Sequence, residues 1–299
     1  MKQLFVIAGP TASGKTRTAI ELAKSFDTEI FNCDSRQFYR GLDIGTAKPT
    51  KREQFEIPHH FIDCKDPSES YSCGAFEKDC IQALNEFFKT HDVAILVGGS
   101  GLYIKAIVEG LDELPSDKEI RSRWKKELDK RGIEWLKKQV AQADPKFTES
   151  LNFLNPQRLI RAMEVIEITG IPYTKQLSNQ FATRAFKGIC FTLQCDRKRL
   201  YHKTNQRVDQ MIEQGLVQEV KRLVGWRDSN ALQTLGYREI FEYLDGHRTL
   251  EESIELIKQH TRNYAKRQIT WFKNQGNFIP IEEPYAQNVL KHLSNNMNV

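Results

Sequence analysis

The segment Gly9, Pro10, Thr11, Ala12, Ser13, Gly14, Lys15 and Thr16 follows a short apolar run, Leu4–Ala8, and opens a stretch of helical spacing, Thr16–Lys24. This is the pattern GxxxxGK[ST] between a strand and a helix, where it acts as a phosphate cradle. Its glycines let backbone N–H groups turn toward a phosphate, and the helix N-terminus adds partial positive charge. Lys15 contributes a point charge and Thr16 a hydroxyl suited to Mg²⁺. The pattern commits the chain to a di- or triphosphate without saying what is done with it. It also constrains the fold. Glu29–Cys33 reads as a second strand with Asp34 at its end, and Val93–Val97 as a third, running into Gly98-Gly99-Ser100-Gly101. Gapless apolar strands alternating with helical segments predict an α/β fold: a P-loop NTPase-like parallel sheet flanked by helices. Ligands bind such sheets at the carboxyl ends of the strands. Gly9–Thr16, Asp34 and Gly98–Gly101 all leave strands at that edge, so they should converge.

After Leu114-Pro115-Ser116 the pattern changes. Residues 117–185 are charged and helical in spacing, with no convincing strand; Asn155-Pro156 opens a helix and Gly170 closes it. Strand-like sequence returns at Gly188–Cys195, and a last short strand is expected at Phe278–Ile281. The expected organisation is a catalytic core of residues 1–114 and 187–299 carrying a helical insertion at 115–186. No apolar run approaches the ~20 residues of a membrane span. The start of the chain reads as a core strand, not a signal peptide. A cytoplasmic protein without membrane attachment is expected, with a monomer as the default. Six cysteines without a CxxC pair give no zinc pattern and read as reduced thiols.

Charge is unevenly placed. The net charge is only +5, from 44 basic and 39 acidic residues, yet Arg158–Arg207 holds ten basic residues against three acidic. Lys258–Lys273 holds five basic residues and no acidic one. Such concentration suits a polyanion, or a solvated basic face equally well. Lys258, Arg262 and Lys266 recur every four residues with Lys273 nearby, a stripe able to grip a nucleic-acid stem. Trp271 and Phe272 read as core, and His59 and His60 as structural residues.

Phosphate-loop ATPases and kinases hold Mg²⁺ with an acidic residue at the end of a neighbouring strand. Here Val93–Val97 ends in Gly98-Gly99-Ser100 with no carboxylate, which argues against ATP chemistry. The carboxylate at the edge is Asp34, in Cys33-Asp34-Ser35-Arg36-Gln37, which from its position alone could bind metal, cap a turn or act as a base.

The blocks around these residues resemble the tRNA dimethylallyltransferase family. They are Gly9–Thr16, Asp34-Ser35-Arg36-Gln37-Phe38-Tyr39-Arg40-Gly41-Leu42-Asp43-Ile44-Gly45-Thr46-Ala47-Lys48-Pro49, His59-His60-Phe61-Ile62-Asp63, Asp66-Pro67, Gly98-Gly99-Ser100-Gly101-Leu102-Tyr103, Asn155-Pro156-Gln157-Arg158, Leu235-Gly236-Tyr237-Arg238-Glu239 and Tyr264-Ala265-Lys266-Arg267-Gln268-Ile269-Thr270-Trp271-Phe272. They run in family order over nearly the whole chain. The resemblance implies that the loop holds the diphosphate of dimethylallyl diphosphate, not ATP. The acceptor it implies is the exocyclic amine of the adenine 3′ of the anticodon in tRNA, with Mg²⁺ as cofactor. By resemblance Asp34 is the base, Ser100 (where relatives often have Thr) contacts the reacting region, and Arg207 engages the diphosphate. Lys203 falls where relatives tend to have Arg. The tRNA contacts map onto Asp34, Ser35, Arg36 and Gln37, onto Gln157, Arg158, Leu159, Ile160 and Arg161, and onto Arg121 with Arg123 as the alternative. A free-nucleotide prenyltransferase and a phosphate-loop kinase or ATP-switched RNA-binding protein are the rival readings.

Overall fold

A computed structural model of the chain describes residues 1–151, 154–178 and 181–296. Six strands form one sheet: β1 (Lys2–Ala8), β2 (Ile30–Asn32), β3 (His59–His60), β4 (Val93–Gly98), β5 (Phe186–Leu193) and β6 (Ile279–Ile281). Their order is β3-β2-β4-β1-β5-β6, and every neighbouring pair is parallel. Leu4 to Ala8 are fully buried, as a central strand covered on both faces requires. Leu4, Val6 and Ala8 join the core on one face, and Phe5 and Ile7 join the core on the other.

Register brings the motif loops together. Ala8 lies opposite Gly98, and Asn32 opposite Val97, so β1, β2 and β4 end level with one another. Gly9, Asp34 and Gly99 therefore emerge side by side. A Cβ on Gly98 would stand 2.6 Å from Cys33 Sγ, so only glycine lets the ends of β2 and β4 approach this closely.

The strands differ from expectation in detail. β5 starts and ends two residues earlier than Gly188–Cys195, because beyond it Asp196 caps the helix Arg197–Glu213. The pair His59–His60, read as merely structural, is an edge strand; it is too short for any alternation to show. His60 stacks on Phe31 with ring centroids 4.3 Å apart and pairs through Nε2 with Glu29 at 2.5 Å.

The chain forms two compact units, Met1–Gly110 with Thr183–Val299, and Leu111–Ala182. The second contains helices Lys118–Arg131, Ile133–Ala143, Pro145–Glu149, Pro156–Thr169 and Tyr173–Gln176, and no strand among its described residues. Leu136, Val140, Phe147, Leu159, Ala162 and Met163 form its own core. Asn155 Oδ1 caps Pro156–Thr169 by accepting from the N–H groups of Gln157 and Arg158 at 3.0 and 3.3 Å, and Gly170 closes it in the left-handed conformation. Among the described residues no helix is long and apolar enough to cross a membrane.

Candidate active site

Gly14 opens the helix Lys15–Ser25 at φ 95°, the left-handed backbone that the tight turn into the helix needs. Lys15 Nζ folds back to donate to the Pro10 carbonyl at 2.8 Å. Burial, and secondarily the charge of Arg207, push its ammonium down to about 8, against a smaller opposing pull from Asp34. Ser13 is buried, and its hydroxyl has no partner among the described residues. A buried polar group left unpaired in a phosphate-binding loop has the position of a ligand contact.

Arg207 reaches the same loop from the helix Arg197–Glu213. Nη1 donates to Thr11 Oγ1 at 3.4 Å and Nη2 to the Ala47 carbonyl at 3.5 Å. Burial lowers its pKa, and the Asp34 charge partly restores it. Lys15, Arg207 and Asp34 thus share one electrostatic field. Ala12, Thr16, Lys48, Lys203 and Arg207 line an adjoining cavity of about 640 Å³. Lys203 is 3.5 Å from Glu283, so a carboxylate already partners its charge.

Asp34 Oδ1 accepts the Arg36 N–H at 2.9 Å, which fixes the carboxylate in the turn after β2. Ser35 is half-buried in that turn. Arg36 donates to the carbonyls of Asn230 and Ala231. Gln37 is buried, its amide donating to the carbonyls of Thr46 and Ala47 at 3.1 and 3.2 Å. The following loop is held from inside by Glu219, which accepts the N–H groups of Asp43, Ile44 and Gly45 at 3.0, 2.8 and 3.0 Å and the Tyr237 hydroxyl at 2.7 Å. Glu219 and Tyr237 thereby support the loop whose Ala47 carbonyl receives Arg207.

Ser100 caps the helix Gly101–Val108 without using its own side chain for the cap. Tyr264 stands near it, its hydroxyl pKa raised to about 12 by burial, with the Asp34 charge adding to the rise. Tyr264 and Gln268 face this edge from the long helix Leu250–Asn274, and the sequence reading gave neither a role. Their signal was an uncharged polar residue recurring at i, i+4 on the buried side of an otherwise basic helix. Trp271 and Phe272 pack in the core as expected.

The insertion brings two of the expected tRNA contacts together. Arg121 and Arg161 converge on Glu164, whose side chain is fully buried. Arg121 forms a forked pair with it, Nε at 3.1 Å and Nη2 at 2.8 Å from Oε2, and Arg161 Nη1 donates at 2.8 Å. Arg161 also donates to the carbonyls of Leu114 and Pro115. Burial pushes the Glu164 carboxyl up, but hydrogen bonds from Arg161 and Arg121 outweigh it and hold the pKa below the usual range. Arg123 pairs with Glu167, which also accepts the Trp124 indole N–H at 2.8 Å. Leu159 and Ile160 turn into the core, so their side chains are unavailable to a partner. Gln157 is exposed, and Arg158 is exposed over the Phe147 ring, 5.7 Å from its centroid.

The basic stripe is a correction. Lys258 bonds to Asp209 at 2.8 Å and Glu255 at 3.0 Å, and Arg262 Nη1 donates to Asn205 at 2.7 Å. That face packs against the helix Arg197–Glu213, and two of the four cations are consumed there. Lys266 and Lys273 remain exposed.

A parallel sheet, a glycine-turned loop at a helix N-terminus and cations gathered over it define a phosphate-loop α/β protein. Residues 37–275 match the sequence model of the IPP transferase family, and the chain belongs to that family. It is 44% identical over 297 residues to a tRNA dimethylallyltransferase of Christiangramia forsetii, covering 99% of this chain and 98% of the relative. Another, from Halalkalibacterium halodurans, is 41% identical over 281 residues, with 92% and 90% covered. The solved full-length tRNA isopentenylpyrophosphate transferase of Bacillus halodurans matches with TM-score 0.72 at 37% identity, over 99% of this chain and 96% of that one. A solved eukaryotic dimethylallyltransferase acting on tRNA matches with TM-score 0.82 at 26% identity, over 100% of this chain and 80% of that one.

Proposed function

We propose that this enzyme transfers a dimethylallyl group from dimethylallyl diphosphate to the exocyclic amine of the adenine 3′ of the anticodon in tRNA, releasing diphosphate. The observation that carries this reading is the joint placement of Lys15, Arg207 and Asp34 at a sheet edge where β4 ends without a carboxylate. Two cations suit the diphosphate, and one carboxylate suits the acceptor. As the allylic C–O bond breaks, negative charge grows on the departing diphosphate. The loop N–H groups, Lys15 and Arg207 stabilise it in this reading. The adenine amine is a weak nucleophile, its lone pair drawn into the ring, and it loses a proton as the N–C bond forms. Asp34 takes that proton, help worth about 10²–10⁴-fold in general.

Mg²⁺ would enter with the diphosphate. No three His, Cys, Asp or Glu side chains gather to hold a metal among the described residues. Thr16 offers a hydroxyl, and the ion's other ligands would be phosphate oxygens and water, as Mg²⁺ prefers. Bound there, it would neutralise charge developing on the leaving group.

For tRNA, Gln157, Arg158 and the outer edges of Arg121 and Arg161 are the candidate surface on the insertion. RNA is read largely through unstacked loop bases, and an adenine under modification has to leave its stack. The testing experiment supplies dimethylallyl diphosphate labelled in the prenyl group to unmodified tRNA, with AMP as alternative acceptor and ATP as alternative phosphate substrate. Mg²⁺-dependent label in tRNA, lost when the adenine 3′ of the anticodon is replaced, is the expected result. Label in AMP, or ATP hydrolysis without transfer, would overturn the reading.

A further inference from the structure

The helix Leu250–Asn274 turns three residues at i, i+4 and i+7 onto the two loops that frame the proposed site. Tyr264 stands near Ser100 and within the field of Asp34. Trp271 closes over Gly101, where a Cβ would have no room. Gln268 lies between them, buried, with both ends of its amide engaged. Oε1 accepts the Thr11 N–H at 2.9 Å, and Nε2 donates to the Gly99 carbonyl at 2.8 Å. A backbone N–H only donates and a carbonyl only accepts, so these partners fix one orientation of the amide. Gly99 is required as well, since a Cβ there would collide with Gln268 Nε2.

The β1–β4 pairing ends at Ala8 and Gly98. Beyond it Gly9 and Gly99 still run close together, and Gln268 ties the diphosphate-binding loop at Thr11 to the Ser100 loop at Gly99. We propose that Gln268 is a positioning residue for the transfer: it fixes the separation of the leaving-group loop from Ser100 and keeps the Thr11 N–H turned away from the diphosphate. The inference rests on the proposed prenyl transfer. Thr11 is then held from two sides, by Gln268 at its backbone and by Arg207 at its hydroxyl 3.4 Å away. The cradle offered to phosphate would begin at Ala12, which takes the left-handed φ of 61°.

The test is Gln268→Met, which keeps the volume and loses both hydrogen bonds. Three quantities are measured on the full-length enzyme: kcat at saturating substrates, inhibition by inorganic pyrophosphate, and tRNA affinity by filter binding. The expected result is a kcat about 10- to 100-fold lower, the scale of an ångström-sized misplacement of reacting groups. Pyrophosphate inhibition and tRNA affinity should stay within about threefold, since each substrate keeps its own contacts. Gln268→Glu keeps the shape and the Thr11 bond but sets a carboxylate oxygen against the Gly99 carbonyl. It serves if the Met variant does not fold, with a similar fall in kcat and unchanged tRNA affinity expected. An undiminished kcat in a folded variant overturns the proposal. So does a loss of pyrophosphate inhibition equal to the loss in kcat, which would make Gln268 a support of the binding loop alone. Failure of both variants to fold assigns the tie to stability and also overturns it. Absence of transfer by the unsubstituted enzyme is a separate outcome, because it removes the reaction itself.

Discussion

The sheet edge and the insertion both gather arginine and lysine, but they treat the charge in opposite ways. At the edge, Lys15 and Arg207 donate to neutral oxygens: the Pro10 carbonyl, the Thr11 hydroxyl and the Ala47 carbonyl. In the insertion, Arg121 and Arg161 share the buried Glu164, and Arg123 takes Glu167. A neutral partner orients a cation and leaves its charge for a ligand. A buried carboxylate shared by two arginines offsets one of their two charges and fixes both side chains in the fold. Basic residues that look alike in a sequence therefore divide into those that face neutral partners and those tied, wholly or in part, to carboxylates.

The sharpest way to break this contrast is at Asp34, a carboxylate whose charge acts on both Lys15 and Arg207. Asp34→Asn keeps an oxygen to accept the Arg36 N–H and removes the charge and the base. Its kcat for transfer should fall about 10²–10⁴-fold, while tRNA retention on a filter changes little. Turnover near that of the unsubstituted enzyme would remove Asp34 from the role of base.

A second, smaller effect lies in pH. Burial and Arg207 depress Lys15 to about 8. Below that pH the ammonium is charged and attracts diphosphate. As pH rises through about 8 it becomes neutral and the attraction fades. Since kcat/KM reports ionisations of the free enzyme, its profile for dimethylallyl diphosphate should fall on the alkaline side with a midpoint near 8. Lys15→Arg stays protonated throughout, so its profile, at lower absolute rate, should lack that limb. A limb that persists in the Arg variant would belong to another group.

How much of this was legible follows the same division. Gly9–Thr16, Asp34 and Gly98–Gly101 are contiguous patterns at strand ends, and parallel register alone brings them together. The helix Pro156–Thr169 was legible through its two caps, Asn155 and Gly170. The pairing of Arg121 and Arg161 with Glu164 was not. Arg121 and Glu164 lie 43 residues apart on two helices, and charge counting along a chain cannot show which opposite charge lies across a core. Lys258 misled for the same reason, because Asp209 reaches it from another helix. Gln268 and Tyr264 went without a role because their one signal, a neutral polar residue at i and i+4 on a basic helix, does not say which loops the pair faces. The edge strand His59–His60 was too short for any periodicity to register.

The smallest expected effect on transfer, and the best probe of the arginines tied to a carboxylate, is Glu164→Gln. The carboxylate is fully buried, whereas Arg121 and Arg161 are partly exposed and can recover some hydration once unpaired. The cost in stability should therefore be about 1–3 kcal/mol, below the 3–5 typical of breaking a fully buried pair. Linkage gives an independent check. Because the folded Glu164 pKa lies below its ordinary 4.5, its contribution is complete above that pH and is lost as pH falls through the folded value. Unfolding monitored against pH should then show the unsubstituted enzyme approaching the Gln variant in stability as the solution is acidified below about 4.5, with the gap widest near neutrality. At 25 °C, where both remain folded, kcat should be equal. A large fall in kcat with stability unchanged would move Glu164, and the arginines it holds, from the structural side of the comparison to the functional one.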